Sequence, residues 1–212
     1  MPDLPISGLP ELTAITSTAE FVVEQSGTTY RVKNNVLAPF PTAYGLFAQT
    51  GDSAVVSATT VETSVIGPGT GTLSVPANGF RVGDSFLASL DGVLSCINTA
   101  TIHIHVRTTG GALLIDTGVI DLDTSTSRPW LLNLYFTIRQ IGGTTVASIS
   151  SGGLFSYIKD SSLTYEGYPL SEINNTTFDT TIINTITINV LWNSTNVGNQ
   201  IFSRNFTLTK IY

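Results

Sequence analysis

Apolar and polar residues alternate with a period of two along most of this chain. The clearest case is 181–191, where Ile182, Asn184, Ile186, Ile188 and Val190 occupy one set of alternate positions and Thr181, Ile183, Thr185, Thr187 and Asn189 the other. Successive strand residues point to opposite sides, so this period predicts half-buried β-strands. Strands are predicted over 54–66, 71–77, 84–96, 100–108, 112–122, 130–141, 145–158, 180–193 and 200–212. Turn chemistry separates them, in "GPGTG", "PANG", "RVGD", "TTGG", "IGG" and "NVGN". No segment sustains the 3.6-residue period of an amphipathic helix. The expectation is an all-β protein, a jelly-roll-like antiparallel β-sandwich.

The first 44 residues read differently. Pro2, Pro5 and Pro10 hold the opening extended and each removes a backbone donor. "FVVEQSGTTYRVK" follows and predicts two short strands around Ser26-Gly27. Two strands alone are marginal in water, so this hairpin calls for a further surface. The segment "NNVLAPFPTAYGLFAQTGDS" reads as a connector whose Phe40, Tyr44 and Phe47 pack down. The expected organisation is an N-terminal docking arm and connector over 1–44 and a sandwich over 45–212. The side chains expected to dock are Ile6, Leu9, Pro10, Leu12, Phe21, Val23, Tyr30 and Val32.

Composition narrows the possibilities. Charged residues make up only 11% of the chain, and 32 threonines stand against 9 Lys+Arg. Threonine suits a pleated, half-wet surface. The net charge of −6 offers no basic footprint for a phosphate backbone, so nucleic acid is not an expected partner. No apolar run of membrane-spanning length occurs, and "MPDLPISGLPEL" has neither a basic n-region nor an apolar h-region, which speaks against a secretory signal. Cys96 is the only cysteine and sits in the apolar run "FLASLDGVLSCI", where a small buried filler is expected rather than a reactive thiol.

Two stretches carry a resemblance. "ISGLPELTAITSTAEFVVEQSGTTYRV", residues 6–32, is similar to segments at the start of phage tail-fibre and other virion proteins. Residues 44–212, anchored on "VPANGFRVGDSF" (Val75 to Phe86), resemble β-rich structural domains of large double-stranded DNA viruses and phages. The resemblance implies a virion protein: a non-enzymatic minor capsid, vertex, fibre or tail component. It also implies jelly-roll folding, a homo-oligomer with a trimer favoured, neighbouring virion proteins as partners and no cofactor.

The residues themselves offer few chemical sites. His103 and His105 in "TIHIHVRT" lie on one side of a strand, and two ligands are too few for a closed zinc site. Three copies around a trimer axis would supply six imidazoles, but the plainer expectation is a hydrogen-bonded pair on a wet face or in an interface. Asp116, Asp121 and Asp123 cluster in sequence and could serve acid–base chemistry, though a strand leaving into a polar loop accounts for them. Trp130 and Trp192 could stack a sugar, with the polar stretch 159–179 beside them, in a receptor- or glycan-binding fibre tip. Edge packing is the plainer reading of both tryptophans. Asn174, Asn175, Asn193 and Asn205 match the glycosylation sequon, which a Thr-rich chain meets by chance.

Overall fold

The computed structural model describes residues 20–25, 28–33 and 44–212. The chain divides into two compact units, residues 1–42 and 43–212. In the first, β1 (Glu20–Gln25) and β2 (Thr28–Lys33) form an antiparallel pair with Phe21 opposite Val32 and Val23 opposite Tyr30. Positions 21, 23, 30 and 32 therefore belong to one alternate set of that ladder. Ile6, Leu9, Pro10 and Leu12 lie outside the described residues.

The second unit is a sandwich of two antiparallel sheets. Its strands are β3 (Tyr44–Gln49), β4 (Val56–Ser57), β5 (Thr63–Ser64), β6 (Gly69–Gly71), β7 (Ser74–Val75), β8 (Ser85–Cys96) and β9 (Ala100–Thr108). There follow β10 (Leu113–Asp116), β11 (Ile120–Leu122), β12 (Ser125–Gln140), β13 (Ser148–Ile158), β14 (Tyr165–Asn174), β15 (Asn184–Trp192) and β16 (Gln200–Lys210). The larger sheet runs β14-β13-β12-β8-β16-β3-β6, with β4 also on β16. The smaller runs β10-β9-β15-β5, with β11 on β9 and β7 on β15.

The connections β8 to β9 and β15 to β16 both pass from one sheet to the other, and β8 pairs with β16 while β9 pairs with β15. A double ribbon thus folds over the core, as in a jelly roll. The β12-β13-β14 meander extends one sheet.

Alternation explains which side faces in. Every second residue of β8 from Phe86 to Cys96 is buried, and in β9 Ile102, Ile104 and Val106 are buried while His103, His105 and Arg107 are half-exposed. Gly92 breaks the apolar set of β8 for a steric reason. A Cβ there would lie 2.0 Å from the Phe202 carbonyl oxygen. Trp130 on β12 and Ser203 on β16 flank Gly92 in register, and the Trp130 indole N–H crosses the bare glycine to donate to Phe202 O at 3.1 Å.

Several expectations change. The stretch 44–49 is no connector but strand β3, paired with β16, and its Phe47 is core. The expected strands 54–66 and 71–77 reduce to the short β4, β5, β6 and β7. The expected strand 112–122 is two, because its ladder with β9 is interrupted at 117–119, where Gly118 has φ +61°, before β11 resumes it in the same direction. The polar stretch 159–179 contains a ten-residue strand, β14, rather than a loop. Its burial alternates between half-exposed and exposed until Asn174, so no apolar stripe marked it.

The segment "VPANGFRVGDSF" folds as two turns. Gly79 N donates to Pro76 O with Asn78 at φ +58°, and the Asp84 carboxylate accepts from Arg81 N. Between them Phe80 is delivered to the core, edge-on to Phe86 and tilted on Phe178.

Candidate functional site

The outward face of β9 carries a polar cluster that contains both histidines. Three elements build it. β9 presents His103, His105 and Arg107 by alternation. β10 pairs on one side of β9 and sets Asp116 opposite His105. On the other side β15 pairs with β9 and β5 pairs with β15, which brings Glu62, just ahead of β5, back over β9.

The Arg107 guanidinium grips Glu62 with both arms, Nε to Oε2 at 3.2 Å and Nη2 to Oε1 at 3.1 Å. This fork holds the Glu62 carboxyl below the usual carboxylate range. Glu62 Oε1 also lies 2.6 Å from His105 Nδ1. The other ring nitrogen, Nε2, lies 3.2 Å from Asp116 Oδ1. Asp116 is itself held: Gly118 N donates to its Oδ1 at 2.7 Å, and its own amide donates to Glu172 Oε2. The His103 ring stands edge-on to His105, centroids 5.8 Å apart. Donor atoms of His103, His105 and Asp116 all lie within 4.8 Å of one another.

A second polar cluster lies elsewhere on the sandwich. Asp121, Asp123, Glu166 and Tyr168 line an open groove of about 430 Å³. Here the carboxylates are answered from within the chain. Lys159 Nζ reaches Glu166 at 3.2 Å and Asp123 at 3.3 Å. Hydrogen bonds to Glu166 and then Asp123 push the Lys159 ammonium above its ordinary value. The buried Tyr157 hydroxyl donates to Glu166 Oε2 at 2.7 Å and accepts from Asp123 N at 2.9 Å. Burial pushes that phenol far above its usual range. Asp116 therefore parts from Asp121 and Asp123, and the three do not form one acidic site.

The tryptophans offer no sugar platform. Trp130 and Trp192 are 2% and 1% exposed, and their indole N–H groups donate to Phe202 O and Val56 O. Cys96 is buried with Sγ on Asp123 O, and burial raises its thiol, as expected of a filler. Among the sequon asparagines, Asn174 is buried, donating to Leu113 O and accepting three backbone N–H groups from 176–178. Asn205 lies in β16 and donates to Asp91. Asn175 and Asn193 are exposed.

A half-open apolar pocket of about 50 Å³ is walled by Leu73, Phe80, Phe86, Phe136, Phe178 and Ile186. Thr108 Oγ1 and Asn184 Oδ1 are in its wall without a hydrogen-bond partner in the protein.

Sequence reasoning found the two histidines but not their company. Glu62 arrives through two strand pairings that no local pattern announces. Asp116 was legible only by counting along the β9–β10 hairpin from the turn that joins Thr108 to Leu113. No protein-family model matches the chain, and no curated protein matches it.

Proposed function

We propose that this chain is a non-enzymatic structural protein of a virus particle, a minor capsid, vertex, fibre or tail component. Its sandwich is the body, and its N-terminal segment attaches that body to neighbouring virion proteins. The observation that carries the reading is the β1–β2 pair. It is a two-stranded sheet in a unit separate from the sandwich, and among the described residues its strands pair only with each other. A sheet of that size gains its stability from a surface that covers it.

The proline-punctuated run ahead of it adds Ile6, Leu9 and Leu12. Burial of several such apolar side chains, at about 25 cal/mol per Å², amounts to several kcal/mol before the cost of ordering the arm. In a homo-oligomer, with a trimer favoured, several arms engage together and attachment outlasts any single contact. The sandwich suits a scaffold: its interior is filled from both sheets and its outer faces are rich in Thr, Ser and Asn.

The test compares the full chain with a form lacking residues 1–33. The expected outcome is that both give cooperative melting, while only the full chain is incorporated into particles assembled in infected cells. If the truncated form is incorporated equally well, the attachment reading fails. Light scattering of the full chain checks the oligomer, and a monomer would remove the trimer from the reading.

A further inference from the structure

We infer that the outer face of the smaller sheet is a binding site for a single divalent first-row transition-metal ion, held within one chain by His103, His105 and Asp116 with Glu62 orienting His105. Three features of the geometry converge on it.

The first is the donor set. Two imidazoles and one carboxylate are the ligands such ions take, and their donor atoms lie within 4.8 Å of one another. The second is spacing. With metal–ligand bonds of about 2.1 Å, two ligands of one ion stand about 3.0 Å apart at an octahedral angle and about 3.4 Å at a tetrahedral one. His105 Nε2 and Asp116 Oδ1 are 3.2 Å apart. The third is the supporting shell. A ligating histidine characteristically gives its other ring N–H to a carboxylate, which sets the tautomer and the ring direction. His105 Nδ1 sits 2.6 Å from Glu62 Oε1 in that arrangement, and Nε2 is the ring nitrogen directed at Asp116. A cation placed between Nε2 and Oδ1 would bind both atoms at once.

Local charge agrees. Glu62, Asp116 and Glu172 gather here from three elements, and the Arg107 guanidinium is occupied by Glu62. The ligands are also preorganised. His105 is 13% exposed on a central strand, and Asp116 is pinned by the Gly118 amide. A second proton on Nε2 would satisfy the His105–Asp116 contact, but it gives no role to the His103 nitrogen that points into the same space. Three protein ligands leave the outward positions of the ion to water or to a side chain of a neighbouring molecule. The site differs from histidine pairs collected around an oligomer axis, because one chain supplies every ligand. It does not rest on the attachment reading: a chain that binds metal but never joins a particle leaves it standing.

The test uses the tag-free full chain, since His103 and His105 are its only histidines. After treatment with a chelator, cobalt(II) is titrated and followed by its visible d–d absorption, then displaced with zinc. The expected result is one ion per chain. His105→Ala abolishes binding, and Glu62→Gln, which keeps an acceptor but alters charge, weakens it about 10–100-fold. Asp116→Asn weakens it at least as much. Because Asp116 is a partly exposed carboxylate, that variant retains the fold, and melting of each variant in chelator checks this. Imidazole ¹⁵N spectra supply a separate readout, in which zinc shifts both rings together. The inference is overturned if the wild-type chain shows no saturable binding. It is equally overturned if Asp116→Asn and His105→Ala bind as tightly as wild type, or if the imidazole signals report only a second proton on His105 and do not respond to zinc.

Discussion

The tryptophan-bearing interior and the histidine-bearing outer face lie on opposite sides of the same kind of strand, yet they spend their polar groups in opposite ways. Inside, Trp130 and Trp192 close every polar end within the protein: each indole N–H finds a backbone carbonyl. Outside, Glu62, His105 and Asp116 converge on one another through their side chains, His105 lying between the two carboxylates. Both sets of residues are chemically able to bind something. Strand parity and what crosses from neighbouring strands decide which set is consumed by the fold and which is left to act.

The largest effect should come from the interior. Trp130→Ala removes a fully buried ring and its hydrogen bond, and chemical denaturation should show a loss of about 3–5 kcal/mol. A loss under about 1 kcal/mol would mean the tryptophan region carries no more energy than the outer face, and the contrast would collapse. Gly92→Ala probes the same place from the strand below. Its Cβ would meet a backbone oxygen, which cannot swing aside as a side chain could. A cost of about 1–3 kcal/mol is expected in the same measurement.

Tyr157→Phe sits between the two regimes, since its ring is core and its hydroxyl serves the Lys159 cluster. Losing both hydrogen bonds should cost about 1–2 kcal/mol at neutral pH. The folded-state pKa of Tyr157 is raised above its value of 10 in the unfolded chain. Its contribution is therefore complete below pH 10 and is lost as pH rises beyond. Melting curves of the two proteins should accordingly approach one another above pH 10. A gap that stays constant to strongly alkaline pH would show that the hydroxyl is not the buried group described.

The smallest effect is expected on the outer face. In metal-free protein His105→Ala should change stability by less than about 1 kcal/mol, because partly exposed ion pairs contribute little. A loss comparable to that of Trp130→Ala would make the histidine cluster a structural keystone instead of a site.

Much of this architecture could be read from the chain. The period of two named β8, β9, β12, β13, β15 and β16 to within a few residues, and of the alternate set it grouped in 181–191, Asn184, Ile186, Ile188 and Val190 are buried while Ile182, ahead of β15, is exposed. It failed where alternation is muted. β14 is edge-like, with no residue buried before Asn174, and β3 hides in a stretch that its prolines made look like a connector. The candidate site was half legible. His103 and His105 announce themselves by spacing, whereas Glu62 is 43 residues from His105 in sequence and reaches it only through the β5-β15-β9 order.

The sequence by itself determined the all-β class and the inward and outward sides of the long strands. Those follow from backbone geometry, which is local: side chains alternate wherever a strand forms. Only the tertiary structure decided that the tryptophans are core, that Asp116 leaves its acidic neighbours, and that Glu62 meets His105. Such meetings depend on which strands pair and in what register. That is settled by the joint packing of two sheets, where a glycine at position 92 can matter as much as the ring that lies across it.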